Sequence, residues 1–307
     1  MRTAPERPEA QGTDGGRWAL ARRVAANLGR HRASMSAGSL AYRWFLSLFP
    51  GVIAALGFLA LVRLDAHGVA SLTHAVETSL PKGVSGIFTD AVRAARRHES
   101  GSGAAVAAGL VVALWSASSS MAALQQALDV AYEVPAGRSY LARRARALPL
   151  MAATFVLGGA GAVLVVLGAP LGAGIEGHVG LHGEPFVVVW TVVRFAVSLL
   201  AVSTLFSIYY HFGPNVGRTT MRWFTAGGAL AVAIFVVASV GFSYYVTAFS
   251  AYATTYGPFA GVAILIFWLY LTGLAVVVGG EVNAELERAR AARPEDGGEG
   301  EGAAGGG

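Results

Sequence analysis

Residues 257–280 read GPFAGVAILIFWLYLTGLAVVVGG, and no charged residue interrupts them before Glu281. About 20 apolar residues at a helical rise of 1.5 Å cross a hydrocarbon core of about 30 Å. A run of this length suits a lipid bilayer better than the interior of a soluble domain. The segment therefore predicts a transmembrane helix, and several similar runs precede it in the chain.

The composition of the whole chain indicates the same class of protein. Hydrophobic residues make up 54% of the 307 residues and charged residues 13%, whereas a soluble domain carries about 25% charged residues. The excess apolar surface has to face lipid, where only helices or a closed barrel satisfy the backbone, and the long runs favour helices. The chain has no cysteine, which excludes disulfides and cysteine-ligated metals. We expect an all-α integral membrane protein.

The apolar runs predict a six-helix transmembrane bundle within residues 17–290. The expected spans are 37–62, 103–124, 148–169, 185–210, 224–245 and 257–280. Residues 1–16 and 291–307 have no apolar period, and both are predicted to be disordered tails, the second of them acidic and glycine-rich. A glycine-rich outer loop is expected around Gly172 and Gly174.

Amphipathic helices are predicted in the first outer loop, where Pro81 and Gly83 separate two segments with helical spacing of apolar residues. The two series are Val69, Leu72, Val76 and Leu80, then Val84, Ile87, Phe88, Val92 and Ala95. A further basic pattern, from Trp18 to Leu28, precedes the first span. It predicts either a helix that lies on an anionic membrane surface or a solvated lead-in to that span.

The distribution of basic residues predicts the orientation. Six spans put both termini on one side of the membrane, and sixteen Lys and Arg residues fall on that side, against five on the other, all in the first outer loop. By the positive-inside rule, both termini are cytoplasmic. The preference for Arg over Lys, with abundant Ala and Gly, indicates a bacterial source, and hence the inner membrane. The net charge of +5 then comes from basic residues that set the orientation in the membrane. The expected partner is therefore the lipid bilayer, and binding of nucleic acid is not expected.

Two arginines lie within predicted spans, where a charge usually faces the bundle interior or a wet cavity. Arg43 shares one face of the first span with Ser36, Ser39 and Ser47. Arg194 lies about nine residues into the fourth span, which places it ~13 Å deep at the helical rise. Both are candidate contacts for an anionic substrate. Arg43 has a second reading, in which it extends to the cytoplasmic headgroups.

The cytoplasmic half of the bundle is predicted to hold a polar cluster. Its candidate substrate or translocation residues, besides the two arginines, are Ser116, Ser119, Asp129, Glu281 and Asn283. We expect Glu281 or Asp129 to neutralise Arg43. The alternative interpretation is that these residues only lock the helices together, without passage of a solute.

Other candidate sites are weaker. Arg93, Arg96 and Arg97 precede the second span on the outer side, where they either bind anionic headgroups or form a solvated helix end. His178 and His182 share an outer loop with two glutamates, but a glycine-rich loop gives no rigid frame for a metal. There is no phosphate-binding loop, nucleophile elbow or dinucleotide fingerprint, so no catalytic residue, metal or cofactor is predicted.

Three motifs resemble one known family. They are Leu40-Ala41-Tyr42-Arg43 with Leu46 to Pro50, Leu114 to Ser118 with Leu124 to Leu128, and Trp268-Leu269-Tyr270 with Gly280 to Ala284. In this order, over about residues 17–290, the chain resembles the YihY/virulence factor BrkB membrane-protein family. The resemblance implies six helices in the inner membrane but no established activity, and members were once labelled ribonuclease BN.

Three functions follow from these features. The leading hypothesis is a non-enzymatic, transporter-like protein for an anionic or lipidic envelope component, such as an anionic lipid or an envelope glycolipid. A structural or assembly scaffold of the cell envelope is the alternative. A membrane-associated ribonuclease is remote, because the cytoplasmic loops offer arginines without a cluster of carboxylates or histidines.

Overall fold

The computed structural model of the chain describes residues 13–61, 103–135, 139–166, 168–179, 183–216, 225–248 and 258–292. All regular secondary structure in these ranges is helical. The predicted amphipathic helices of the first outer loop and Arg93, Arg96 and Arg97 lie outside the described residues. So do most of the two predicted tails.

The α-helices of the described ranges are 8 to 34 residues long. They are α1 (Thr13–Arg30), α2 (Ala33–Leu61), α3 (Gly103–Ala131), α4 (Tyr140–Ala153), α5 (Gly159–Val166), α6 (Gly168–Val179), α7 (Glu184–Phe212), α8 (Ala226–Ala248) and α9 (Pro258–Ala291). A single π-helical turn, Thr154–Gly158, joins α4 to α5.

Four segments of the described chain are long and apolar enough to cross a membrane. They are Tyr140–Val165, Glu184–Phe212, Ala226–Tyr245 and Gly261–Ala291, and they coincide with the predicted third to sixth spans. Helices α2 and α3 coincide with the first two predicted spans, and each has 29 residues, or about 44 Å at 1.5 Å per residue. The integral membrane class is supported, and the count of six spans stays a prediction.

The long helices form a closed ring in chain order. Helix α2 packs against α3 and α9, α9 against α8, α8 against α7, and α7 against α5 and α4, which returns to α3. Helix α1 lies outside this ring and packs across α9 and α2. The contacts of α9 with α1 and α2 bring the first and the last described helices together.

Small residues allow the helices to approach closely. A Cβ on Gly279 of α9 would lie 2.6 Å from the carbonyl oxygen of Gly227 in α8, and 2.7 Å from Cβ of Ala231. A Cβ on Gly273 would lie 3.2 Å from the carbonyl oxygen of Ala37 in α2. Lipid gives little hydrophobic reason for helices to associate, so such close backbone packing is a main source of their attraction.

Two boundary predictions are wrong. Residues 13–16, assigned to the disordered tail, are part of α1. The segment around Gly172, predicted as a loop, is helix α6. The glycine at position 172 serves packing instead, since a Cβ there would lie 2.5 Å from Nε1 of Trp190. Glycine lowers helix propensity by about 1 kcal/mol, which close packing against an aromatic ring can offset.

Candidate functional site

The last turns of α9 carry polar side chains into the protein. Glu281, Asn283 and Glu285 are all buried, and the side chain of Glu281 is 0% exposed. Glu281 and Glu285 are four positions apart in the sequence, so the two carboxylates share one face of the helix. That face meets α1 and the end of α3. We call this group of residues and its partners the end cluster.

His31, in the turn between α1 and α2, connects two carboxylates of the end cluster. Its Nδ1 lies 2.6 Å from Oε1 of Glu281, and its Nε2 lies 3.4 Å from Oε1 of Glu133. Glu133 follows α3 in a left-handed conformation with φ of 53°. One imidazole ring therefore joins α9 to the end of α3.

Glu285 holds α1 against α9. Asn27 Nδ2 donates a 2.7 Å hydrogen bond to Oε1 of Glu285, and Arg23 Nε lies 3.3 Å from Oε2. Arg30 in turn donates to Oδ1 of Asn27. Because Asn27 is only 2% exposed, this polar contact is part of the packed interface between the two helices.

Arg288 ties the same end of α9 to α3. Its guanidinium donates to Oε1 of Glu285 at 2.9 Å and to the carbonyl oxygen of Ala131 at 3.0 Å. Its Nη2 also lies 3.6 Å from Oε1 of Glu133. The last carbonyls of a helix lack intrahelical partners, so Arg288 satisfies one of them at the end of α3.

The other side of the end cluster faces α7 and α8. Asn283 Oδ1 accepts a 2.9 Å hydrogen bond from the backbone N–H of Gly227. Asp129 Oδ1 accepts one of 2.7 Å from the backbone N–H of Asn215, which follows α7. Among the residues that the structure describes, Oε2 of Glu281 is buried and has no hydrogen-bond partner.

Tyr132, directly after α3, lies beside this cluster. Burial raises the pKa of its phenol well above its usual range, and the nearby charge of Glu287 raises it further. The phenol is neutral at physiological pH, as an ordinary phenol is, and adds no negative charge to a region that holds Glu133, Glu281, Glu285 and Glu287.

The predicted neutralisation of Arg43 is wrong. Its side chain is exposed, while Glu281 pairs with His31 and Asp129 binds the backbone of Asn215. The backbone carbonyl of Arg43 accepts a 3.0 Å hydrogen bond from Ser120 Oγ within the bundle. The sequence shows which residues share one face of the first span, but it does not show how that face is rotated relative to α9.

Arg194 lies where α6 begins. It is half-buried, and its Nε has no hydrogen-bond partner in the structure. A Cβ on Gly168 would lie 2.7 Å from Cδ of Arg194, so the absence of a side chain at position 168 makes room for the arginine. The guanidinium also lies 5.0 Å from the centre of the Phe195 ring.

The predicted serines bind their own helix. Ser119 Oγ donates to the carbonyl oxygen of Ser116 at 2.7 Å, and both residues are half-buried. The structure therefore does not bring Ser116 and Ser119 into the end cluster. Glu281 and Asn283 do belong to the end cluster, and Asp129 binds the backbone N–H of Asn215 near the same end of α3.

The sequence analysis did not predict these five residues of the end cluster: Asn27, His31, Glu133, Glu285 and Arg288. One signal was present, because Asn27 and His31 are four residues apart and continue the apolar face of Val24 and Leu28. Polar residues on the buried face of a helix call for a buried partner. The partner itself could not be identified from sequence.

A second cationic arrangement lies on the outside of α3 and α4. The guanidinium carbon of Arg144 lies 4.4 Å from the centre of the Trp115 ring and 5.2 Å from that of Tyr140. Its Nη1 donates to the carbonyl oxygen of Trp115 and to Oγ of Ser118, and its Nη2 to the phenol of Tyr140 at 2.9 Å. The contacts join the two helices through one side chain.

Comparisons with known proteins identify relatives along most of the chain. The family profile described as Virulence factor BrkB matches residues 24–303. The ribonuclease-like protein YfkH of Bacillus subtilis is 30% identical over 258 residues, which cover 84% of this chain and 91% of that protein. No solved structure gives a significant match.

Shorter similarities extend to a second group of membrane proteins. A UPF0761 membrane protein of Rhodospirillum centenum is 35% identical over 105 residues, which cover 34% of this chain and 23% of that protein. One of Tolumonas auensis is 41% identical over 81 residues, or 26% of each chain. These alignments therefore support a membrane location for part of the chain and leave most of those relatives unmatched.

Proposed function

This chain belongs to the virulence factor BrkB family and is a membrane protein, and from that premise we propose that it is a transporter-like protein of the bacterial inner membrane. Its substrate is an anionic or lipidic component of the cell envelope, and it performs no chemical reaction on that substrate. Both termini are cytoplasmic in this proposal, which follows the predicted six spans and the bias of basic residues.

The observation that carries the proposal is the environment of Glu281. This carboxylate is 0% exposed at the end of a membrane-length helix, and one of its oxygens has no hydrogen-bond partner among the described residues. Ionisable groups in membrane helices are costly, and they usually mark pathways for substrates, ions or protons. A purely structural pair would be expected to satisfy both carboxylate oxygens.

The arginines support an anionic substrate. Arg194 is half-buried on α7, and its Nε lacks a partner, which leaves a donor available to an anion. Arg43 is exposed on α2 and makes no ion pair with Glu281 or Asp129. In the proposal these two residues attract the negatively charged group of the substrate.

Reconstitution tests the proposal directly. Purified protein in vesicles is assayed for movement of fluorescent phosphatidylglycerol between leaflets, with phosphatidylcholine as the uncharged comparison. We expect faster movement of the anionic lipid, and at least several-fold slower movement with Arg194→Gln. Arg146→Gln is the matched control, because Arg146 is exposed on α4. A panel of anionic lipids and solutes that all stay in place would overturn the proposal.

A scaffold of the cell envelope is the second candidate, and the environment of Glu285 favours it. Three residues from two helices, Arg23, Asn27 and Arg288, satisfy this one carboxylate, as expected of a group that fixes helix positions. A stable complex with envelope proteins that forms without any lipid or solute movement would support the scaffold.

A nuclease is the remaining alternative, and the name of the Bacillus relative is the reason to test it. Within the described residues, no group of three His, Asp or Glu side chains is arranged to hold a metal ion. We expect any ribonuclease signal in a preparation to separate from the protein on further purification. Activity that stays with the protein and falls in a His31→Gln variant would contradict the non-enzymatic proposal.

A further inference from the structure

We propose that His31 and Glu281 form a proton-binding site whose occupancy controls the docking of the turn between α1 and α2 on α9. The inference rests on the proposed function in one respect: a proton bound here would be the ion that drives or gates substrate movement. Its physical basis is independent of that function, because it depends only on the contacts of one imidazole ring.

Both nitrogens of His31 face carboxylate oxygens. Nδ1 lies 2.6 Å from Oε1 of Glu281, and Nε2 lies 3.4 Å from Oε1 of Glu133. A neutral imidazole has one N–H and can donate to only one of them, whereas the imidazolium donates to both. In the proposal, the protonated ring makes both contacts.

The neighbouring charges determine which contact of His31 becomes weaker when the imidazole loses its proton. Glu133 has further cationic neighbours, with Arg30 Nη2 at 3.8 Å and Arg288 Nη2 at 3.6 Å. Glu285 is held by Arg23 and Arg288. The hydrogen bond to Glu281 comes from His31, and its other oxygen has no partner. Removal of the proton therefore leaves Glu281 as a buried carboxylate without a cation in contact, which is unfavourable.

Loss of this contact acts on the C-terminal end of α1. Asn27 and Arg23 keep their bonds to Glu285 in either state of the proposal, since neither bond involves His31. The turn that follows contains Arg32 with φ of 49°, where the chain changes direction before α2. Deprotonation thus releases the turn between α1 and α2 from α9 while the earlier part of α1 stays attached.

Distance measurements on the whole protein test this without any transport assay. The chain has no cysteine, so Gly29→Cys and Val130→Cys introduce two spin-label sites, one at the C-terminal end of α1 next to the turn and one on α3, at positions that are exposed in the structure. Electron–electron double resonance in lipid nanodiscs then reports the α1–α3 distance. Titration covers about pH 5.5 to 8.5, the range in which histidine changes charge.

We expect a narrow distance distribution at low pH that broadens reversibly as the pH rises. His31→Gln should give the broad distribution at every pH, and His31→Arg, with its permanent charge, the narrow one. The matched control is His211→Gln, because His211 lies at the end of α7 in contact with the Phe212 ring. This variant should show the same broadening of the distance distribution with pH as the wild type. A wild-type distribution that does not change with pH, or a step that survives in His31→Gln, would overturn the inference.

The two proposals fail separately. A pH step that depends on His31, in a protein that moves no lipid or anion, would refute the transport function and leave the proton site intact. Lipid movement with no pH step would refute the proton site alone.

Discussion

Gly227 of α8 and Gly279 of α9 face each other without side chains between them. A Cβ on Gly279 would lie 2.6 Å from the Gly227 carbonyl oxygen, and a Cβ on Gly227 would lie 2.5 Å from Oδ1 of Asn283. This contact sets the distance between the two helices and places Asn283 where it accepts the N–H of Gly227.

We predict that Gly279→Ala destabilises the protein. The added methyl has backbone atoms in its way, and overpacking of this kind costs about 1–3 kcal/mol. Thermal unfolding in detergent should show a clearly lower transition temperature. Gly241→Ala, at a position in α8 where an added Cβ meets nothing within 4 Å, should leave it unchanged or slightly raised. Equal transition temperatures for the two variants would contradict the packing argument.

The bridge made by Arg288 predicts a loss of stability in Arg288→Ala. This side chain binds the Glu285 carboxylate and the Ala131 carbonyl, and hydrogen bonds to charged groups contribute about 1.5–3 kcal/mol. Chemical unfolding is the measurement. Arg290→Ala is the control, since Arg290 is exposed on the same helix. A loss no larger than that of the control would show that the bridge adds little.

The hydroxyls of Thr154 and Tyr209 lie 2.7 Å apart, and Tyr209 is buried. Thr154→Val should leave the phenol unsatisfied, at a cost of about 1–3 kcal/mol. Combining it with Tyr209→Phe should recover much of that loss, because both polar partners are then gone. Thermal unfolding of the two single variants and the double variant measures this coupling.

Thr272→Val is the control for that cycle, because the Thr272 hydroxyl bonds only its own helix, at the carbonyl oxygen of Trp268. It should have little effect on the transition temperature. A double variant as unstable as the sum of its singles would rule out the proposed coupling.

Arg144→Lys should not preserve the contact between α3 and α4. Lysine keeps the charge, but it cannot contact both aromatic rings while donating to Trp115, Ser118 and Tyr140. We expect a loss of about 1–2 kcal/mol, with a change in tryptophan fluorescence as Trp115 loses its guanidinium neighbour. Arg146→Lys should change neither quantity.

Charge reversal tests the position of Arg43. Because Glu281 contacts His31 and Arg43 is exposed, the double variant Arg43→Glu with Glu281→Arg should be no more stable than Glu281→Arg alone. Rescue of stability or lipid movement in the double variant would restore the original expectation that these two residues pair.

Much of the fold could be predicted from local patterns. The apolar run up to Gly280 and its counterparts in α7 and α8 are long single segments, and among the structures that hydrocarbon permits this length favours a helix. Helix α6 was missed because glycine has a low helix propensity, and the packing of Trp190 on Gly172 is a contact with another helix that local sequence does not show.

The candidate site could be predicted only in part. Glu281 and Asn283 were recognisable because each interrupts an apolar pattern near a helix end. Their partners were not, since His31 is separated from Glu281 by most of the chain and the pairing depends on the closure of the ring between α9 and α2.

The amino-acid sequence by itself therefore determined that most of this protein lies in lipid and where its helices run. It also determined which polar side chains have to be kept away from lipid. Only the tertiary structure decided that Glu281 meets His31 and not Arg43. The physical reason is that hydrophobicity and helical period act within one segment, whereas the rotation of each helix about its axis is set by close contacts such as Gly227 on Gly279.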